Sequence, residues 1–365
     1  MSSPPPLQQE NDMVMRNAFK LSVALVTLAG ATAAWAEPAV DRSVKVAPGG
    51  LYEIVQNGAD NDIYIAAVGP RGEDKGAIVR LDGKTLQPKG SIDVSTSPLY
   101  GLAINQTTQT LYGTDTRNGS VSAVDLATGK VVGTVKVGEK AHVRQVAVDE
   151  GANKVYVTVV GAMRGSDTPS AIWVIDGKSN TLDRVIAVPG ISLTGLALDP
   201  AKKRIFSTGM SSNDVIVLDS DSGAVKARWP SGGENAINVA YDGTAQRLFV
   251  ANQGNGVLGV INARDGSLIK AVPTGEGALS VAYNGAVDQI YVANRRAGTV
   301  SVVDAKTYEK LADLETGTFP QTIAINRADN SVYVTNKARG LPRDAAPGTP
   351  PVDDPKGDTV TLIRP

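Results

Sequence analysis

Residues 289–304 read QIYVANRRAGTVSVVD. Two apolar runs of strand length flank a polar turn, and Arg295 and Arg296 stand side by side in that turn. The first run recurs along the chain. Aligned on its aromatic residue it reads DIYIAAV at Tyr64, TLYGTDT at Tyr112, KVYVTVV at Tyr156 and RIFSTGM at Phe206. It continues as RLFVANQ at Phe249, QIYVANR at Tyr291 and SVYVTNK at Tyr333, with successive spacings of 48, 44, 50, 43, 42 and 42 residues. Each copy carries four short apolar runs, as in LYGLAIN (99–105), LYGTD (111–115), VSAVD (121–125) and KVVGTVKV (130–137). The runs are rich in Val, Ile, Leu and Tyr, are separated by turn signals such as DLATGK, and show no helical period.

Several runs are apolar at nearly every position, which fits sheets covered on both faces. A blade sandwiched between two neighbours supplies that cover. Seven units of this period with four strands each predict an all-β, seven-bladed β-propeller. The last unit has QTIAIN (321–326), SVYVTN (331–336) and TVTLIR (359–364) but no fourth run. RSVKVAP (42–48) lies before the first complete unit and resembles KVVGTVKV, so it is expected to complete blade seven and close the ring. The aromatic row is read as packing between sheets, and Asp82, Asp125, Asp176, Asp219 and Asp304 as turn residues accepting backbone hydrogen bonds.

The rest of the sequence narrows the class. Net charge is -1, which argues against a polyanion binder held by bulk charge while leaving room for a local basic patch. Cysteine is absent, excluding disulfides, zinc–cysteine sites, a thiol nucleophile and a lipobox. At the amino terminus Arg16 and Lys20 precede the apolar segment LSVALVTLAGATAA (21–34), then Ala34-Trp35-Ala36. That is a leader and signal peptide over residues 1–36, cut after Ala36, with Met13 and Met15 as alternative starts. Residues 37–365 form the expected single propeller domain, placed in the periplasm.

The sequence resembles the YVTN-repeat β-propellers, on YVTN at 333–336 and YVAN at 291–294. More closely it is similar to the YncE-type exported seven-bladed propellers, on GLAINQTTQTLYGTDTRNGSVSAVD (101–125), AIWVID (171–176), STGMSSNDVIVLD (207–219) and AGTVSVVDAKTYEK (297–310). The resemblance spans essentially the whole mature chain and implies a periplasmic protein associated with single-stranded DNA binding.

Propellers bind ligands where loops from several blades meet at a channel mouth. The turns between second and third strands offer Arg71, Lys75, Arg117, Arg164, Arg295, Arg296, Lys337, Arg339 and Arg343 to one face. The starts of the inner strands offer Tyr52, Tyr100, His142, Arg144, Asn235, Phe319 and Gln321, and Trp229 is expected on the same side. Cations pair with phosphates, and Tyr100, Trp229 and Phe319 are candidate platforms for unpaired bases. Tyr100, Arg144, Trp229, Arg295, Arg296, Phe319, Lys337 and Arg339 are therefore the candidate ligand-binding residues. Glu73, Asp74, Asp167, Glu234, Glu276 and Glu315 temper the charge of that face.

Blade seven's turn, KARGLPRDAAPGTPPVDDPKGD (337–358), is much longer than its counterparts and is a candidate lid or recognition loop. No catalytic, metal or cofactor residue is assigned. His142 is the one histidine, and no G-x-S-x-G elbow accompanies it. The competing readings are a monomeric binder of single-stranded DNA, a scaffold for an envelope protein, and a cofactor-dependent enzyme.

Overall fold

The computed structural model describes residues 1–3, 37–69, 75–161, 168–342, 349 and 352–365. The leader and signal peptide, apart from residues 1–3, lie outside the described residues. The described residues from Glu37 onward form one compact unit. Its strands build seven four-stranded antiparallel sheets, the blades of a propeller. Blade one is typical: Leu51–Gln56 lines the axis, followed outward by Asp62–Ala67, Ala77–Asp82 and Pro88–Asp93. Apart from one turn of 3-10 helix at Pro200–Lys202, the described residues hold no helix, and none long and apolar enough to cross a membrane.

Burial follows position in the blade. The second strands are buried along almost their whole length, as in Gln289–Asn294, while outermost strands such as Lys310–Glu315 stay mostly open to solvent. The chain closes as the sequence predicts. Ala39–Lys45 pairs antiparallel with Thr359–Arg364 as the outer strand of blade seven. Several boundaries shift: the closing strand runs from Ala39 to Lys45 rather than over 42–48, and the inner strand of blade two begins at Gly101, with the Tyr100 N–H bonding the Thr114 carbonyl ahead of the regular ladder.

The aromatic row is buried throughout, from Tyr64 to Tyr333. Two of its hydroxyls also link blades. Tyr333 donates to the Gly83 carbonyl at 2.7 Å and Tyr112 to the Gly177 carbonyl at 3.4 Å, in each case in the next blade. Where phenylalanine replaces tyrosine, an arginine two residues earlier takes over the bond. Arg204, above the Phe206 ring, donates to the Ala263 carbonyl, and Arg247, above Phe249, to that of Ala305. The acceptor is always the residue after the Asp or Asn that ends the next blade's third strand. Those aspartates act as turn caps: Asp304 accepts the Lys306 and Thr307 N–H groups at 2.8 and 2.7 Å.

A second set of struts holds the inner strands. Thr114, Thr158 and Thr335 each donate a hydroxyl to a carbonyl at the start of the next inner strand, those of Arg144, Thr194 and Tyr52, at 2.6–2.9 Å. The same hydroxyls accept the N–H of Gly101, Gln145 and Thr322 in their own blade. These bonds fill the gap at the register shift near the start of an inner strand, such as that between Leu51 and Ile54. They fix the side chains that surround the channel.

Candidate functional site

The turn after each second strand folds back on the start of the inner strand through a repeated backbone rung. The N–H groups of Val68, Val160, Met210, Gln253, Arg295 and Lys337 donate to the carbonyls of Gly50, His142, Ser192, Asn235, Gly277 and Phe319. These rungs put one side chain from each of six blades at the same place on the rim. Blades one, three, four and five present Val68, Val160, Met210 and Gln253, whereas the adjacent blades six and seven present Arg295 and Lys337.

Around those two cations the rim is aromatic. Tyr52 and Tyr100, from blades one and two, meet edge to face with ring centroids 4.7 Å apart. The Lys337 ammonium sits 3.8 Å from the Tyr52 ring centroid and donates to the Tyr52 hydroxyl. Arg117 donates from Nε to the Tyr100 hydroxyl at 2.6 Å and leans over that ring. Arg295 lies 4.7 Å above the Phe319 ring. The rung residue Phe319 has φ of 45°, in the left-handed region that its counterparts Gly50, Gly277 and Asn235 also occupy. Gly50 and Gly277 adopt it freely, and asparagine tolerates it; a phenylalanine there is strained, and such strain gathers at functional sites.

Electrostatics mark the same spot. Burial lowers the pKa of Lys337 to about 8, and the neighbouring Arg295 adds to the shift. Burial also pushes Arg295 down, helped by Arg296. Arg80, Arg204, Arg228, Arg247 and Arg364 each pair with a carboxylate. Among the described residues Arg117, Arg295 and Lys337 have no carboxylate within ion-pair distance. The rim therefore gathers three cations that lack acidic partners.

A cavity of about 600 Å³ opens beside Arg295, between blades six and seven. Among the described residues Lys45, Arg295, Arg296, Arg339 and Lys356 supply its cations and Glu315, 3.7 Å from the Lys356 ammonium, its one acid, and Phe319 also lines it. Lys45, from the N-terminal strand, donates to the carbonyls of Asp354 and Gly357 at 2.7 and 2.6 Å. The described end of the long blade-seven turn is tied down. Asp354 accepts the Arg339 N–H at 3.0 Å and the Thr318 hydroxyl at 2.8 Å, and Asp358 accepts the Gly50 N–H at 2.9 Å.

Deeper in the channel stands Glu53, which sequence reading passed over. It keeps partial access to solvent, yet protein surrounds it and burial raises its pKa to about 7. Gln145, from blade three, donates to it from two blades away at 3.3 Å. Arg144 faces the same carboxylate, and burial lowers its pKa against the pull of Glu53.

The candidate residues thus divide. Tyr100, Arg295, Phe319 and Lys337 converge on the rim, Arg296 and Arg339 line the adjoining cavity, and Arg144 sits in the channel. Trp229, expected on the same face, does not join them: it lies on the outermost strand of blade four, away from the axis, packed 6.3 Å from Phe206 and against Gly266. Arg71, Arg164 and Arg343, with Glu73, Asp74 and Asp167, lie outside the described residues, as do residues 343–348, 350 and 351 of the candidate lid. No cluster of three or more potential metal ligands occurs among the described residues.

The model of the family described as YNCE-like beta-propeller matches residues 151–342. The chain belongs to the YncE-like β-propeller family. This YncE-like propeller is 31% identical over 277 residues to the uncharacterized protein YncE of Escherichia coli O157:H7, covering 71% of this chain and 76% of that one. It is also 31% identical over 271 residues to the uncharacterized protein YncE of Salmonella typhi, covering 71% and 73% of the two chains. Family membership agrees with the seven-bladed ring and assigns no ligand.

Proposed function

We propose that this YncE-like propeller is an exported, non-enzymatic binding protein that takes single-stranded DNA at the blade six–seven side of its channel mouth. One observation carries the reading: Arg295 and Lys337, cations without carboxylate partners, stand at the repeated rim position beside the rings of Tyr52, Tyr100 and Phe319. Unpaired strands are bound by that combination, since phosphates take the cations and every base offers a face for stacking. The cavity alongside extends the cationic track through Arg296, Arg339, Lys45 and Lys356. The leader at 1–36 supports export, and the proposal takes the periplasm as the place of action.

Fluorescence anisotropy with a labelled oligonucleotide, repeated over a salt series, tests the binding. Contact with about four phosphates gives a slope of roughly −3 in log K against log salt. Arg295→Ala/Arg296→Ala should flatten that slope by about 1.4 and weaken binding at low salt. Binding that is undetectable, or identical and salt-independent in both proteins, overturns the reading. Cell fractionation with N-terminal sequencing tests the export: a mature chain starting at Glu37 supports it, and an uncleaved cytoplasmic chain overturns it.

A further inference from the structure

The cationic track has two unlike ends. Outward it runs along the cavity between blades six and seven to Lys45 and Lys356. Inward it stops at the mouth, where Arg117, Arg295 and Lys337 crowd around Tyr52 and Tyr100. Past the mouth, the rim positions of blades three, four and five carry Val160, Met210 and Gln253. The channel below leads to the Glu53 carboxyl, which Arg144 already faces. A phosphate chain that comes in along the groove therefore meets no cation at the matching rim positions of blades three, four and five.

The three cations at the mouth also exceed what one linking phosphodiester, with a single charge, neutralises. A terminal phosphate monoester carries about −1.5 to −2 charges at neutral pH and three acceptor oxygens. Arg117 uses its Nε on Tyr100, which leaves its terminal amino groups for such a ligand. Resting on the reading of this face as a single-strand site, we propose that the mouth is an end site. The phosphorylated terminus of a single strand sits over the channel with its terminal phosphate among Arg117, Arg295 and Lys337. Its last bases lie against Tyr100 and Phe319, and the chain leaves through the groove between blades six and seven.

Four ligands of one sequence test this: a linear oligonucleotide with a 5′-phosphate, one with a 3′-phosphate, one with neither, and a covalently closed circle. One phosphorylated form should bind about tenfold more tightly than the unphosphorylated strand, and the circle should lack that increment. Lys337→Met and Arg117→Met should each erase the advantage of the phosphorylated end, whereas Arg296→Ala weakens all four ligands alike. Melting curves confirm that the variants fold. A circle that binds as tightly as the best linear strand overturns the end site and leaves the single-strand reading standing. No binding of any of the four overturns both.

Discussion

Lys337 offers a test in which stability and binding move in opposite directions. Its ammonium is largely withdrawn from water, lies among Arg295 and Arg117, and has Asp358 as its one nearby acidic charge. Its pKa falls from 10.5 to about 8. The folded protein therefore resists charging this group more than the unfolded chain does. Between pH 8 and 10.5 the unfolded chain holds a proton that the folded chain has released, so this group makes stability rise with pH across that window. Each pKa unit is worth about 1.4 kcal/mol, so below pH 8 the charged lysine withholds on the order of 3 kcal/mol from folding. Replacing it with a neutral side chain of similar length, Lys337→Met, should return about 1–3 kcal/mol at pH 7. Urea denaturation at pH 7 and pH 10 reads this directly, and the gain should shrink at the higher pH. Anion binding follows the charge instead. About a tenth of the lysine remains protonated one unit above its pKa, so oligonucleotide affinity should fall several-fold between pH 7 and 9 in the native protein and stay flatter in Lys337→Met. A variant that is destabilised at pH 7, or a pH profile of binding that Lys337→Met leaves unchanged, would refute the reasoning.

Three other outcomes are expected. Glu53→Gln should stabilise the protein by about 1–3 kcal/mol at pH 8 and by nothing at pH 4: the raised pKa of about 7 makes stability fall as pH climbs from 4.5, and denaturation at the two pH values checks it. Phe319→Gly should leave the melting temperature nearly unchanged, since relief of the backbone strain at φ 45° offsets the lost ring contact. The same variant should weaken oligonucleotide binding by about five- to a hundredfold, the worth of one stacking platform. Tyr333→Phe removes the bond to the Gly83 carbonyl and should cost about 1–3 kcal/mol, seen in urea melts, without touching the mouth.

The fold was legible in the sequence because a propeller repeats its demands. Each blade needs an aromatic between sheets, a capped turn and a strand buried on both faces, and these recur at one period. Arg295 was legible as a departure from that period. Lys337 follows the same logic, since it stands four residues after its tyrosine as Arg295 does after Tyr291. Glu53 was not legible. Its role depends on Gln145, two blades away, a contact that no local pattern announces. The exchange of a tyrosine hydroxyl for an arginine at Arg204 and Arg247 was hidden for a similar reason, because the shared partner lies on the next blade. Trp229 misled because its sequence position marks the rim face while its outermost strand sets it far from the axis.

Closure by the N-terminal strand has a consequence for when the molecule can act. Ser43 and Lys45 come from the first strand of the ring and Thr359 from the last, yet all three line the same groove. Tyr52 and Lys337, which touch across the mouth, likewise sit on either side of the join between blade one and blade seven. A chain emerging from its amino end has every other blade available before this one is complete. The groove is thus complete only once the two ends of the ring have paired, and any ligand held there would report that the ring has shut.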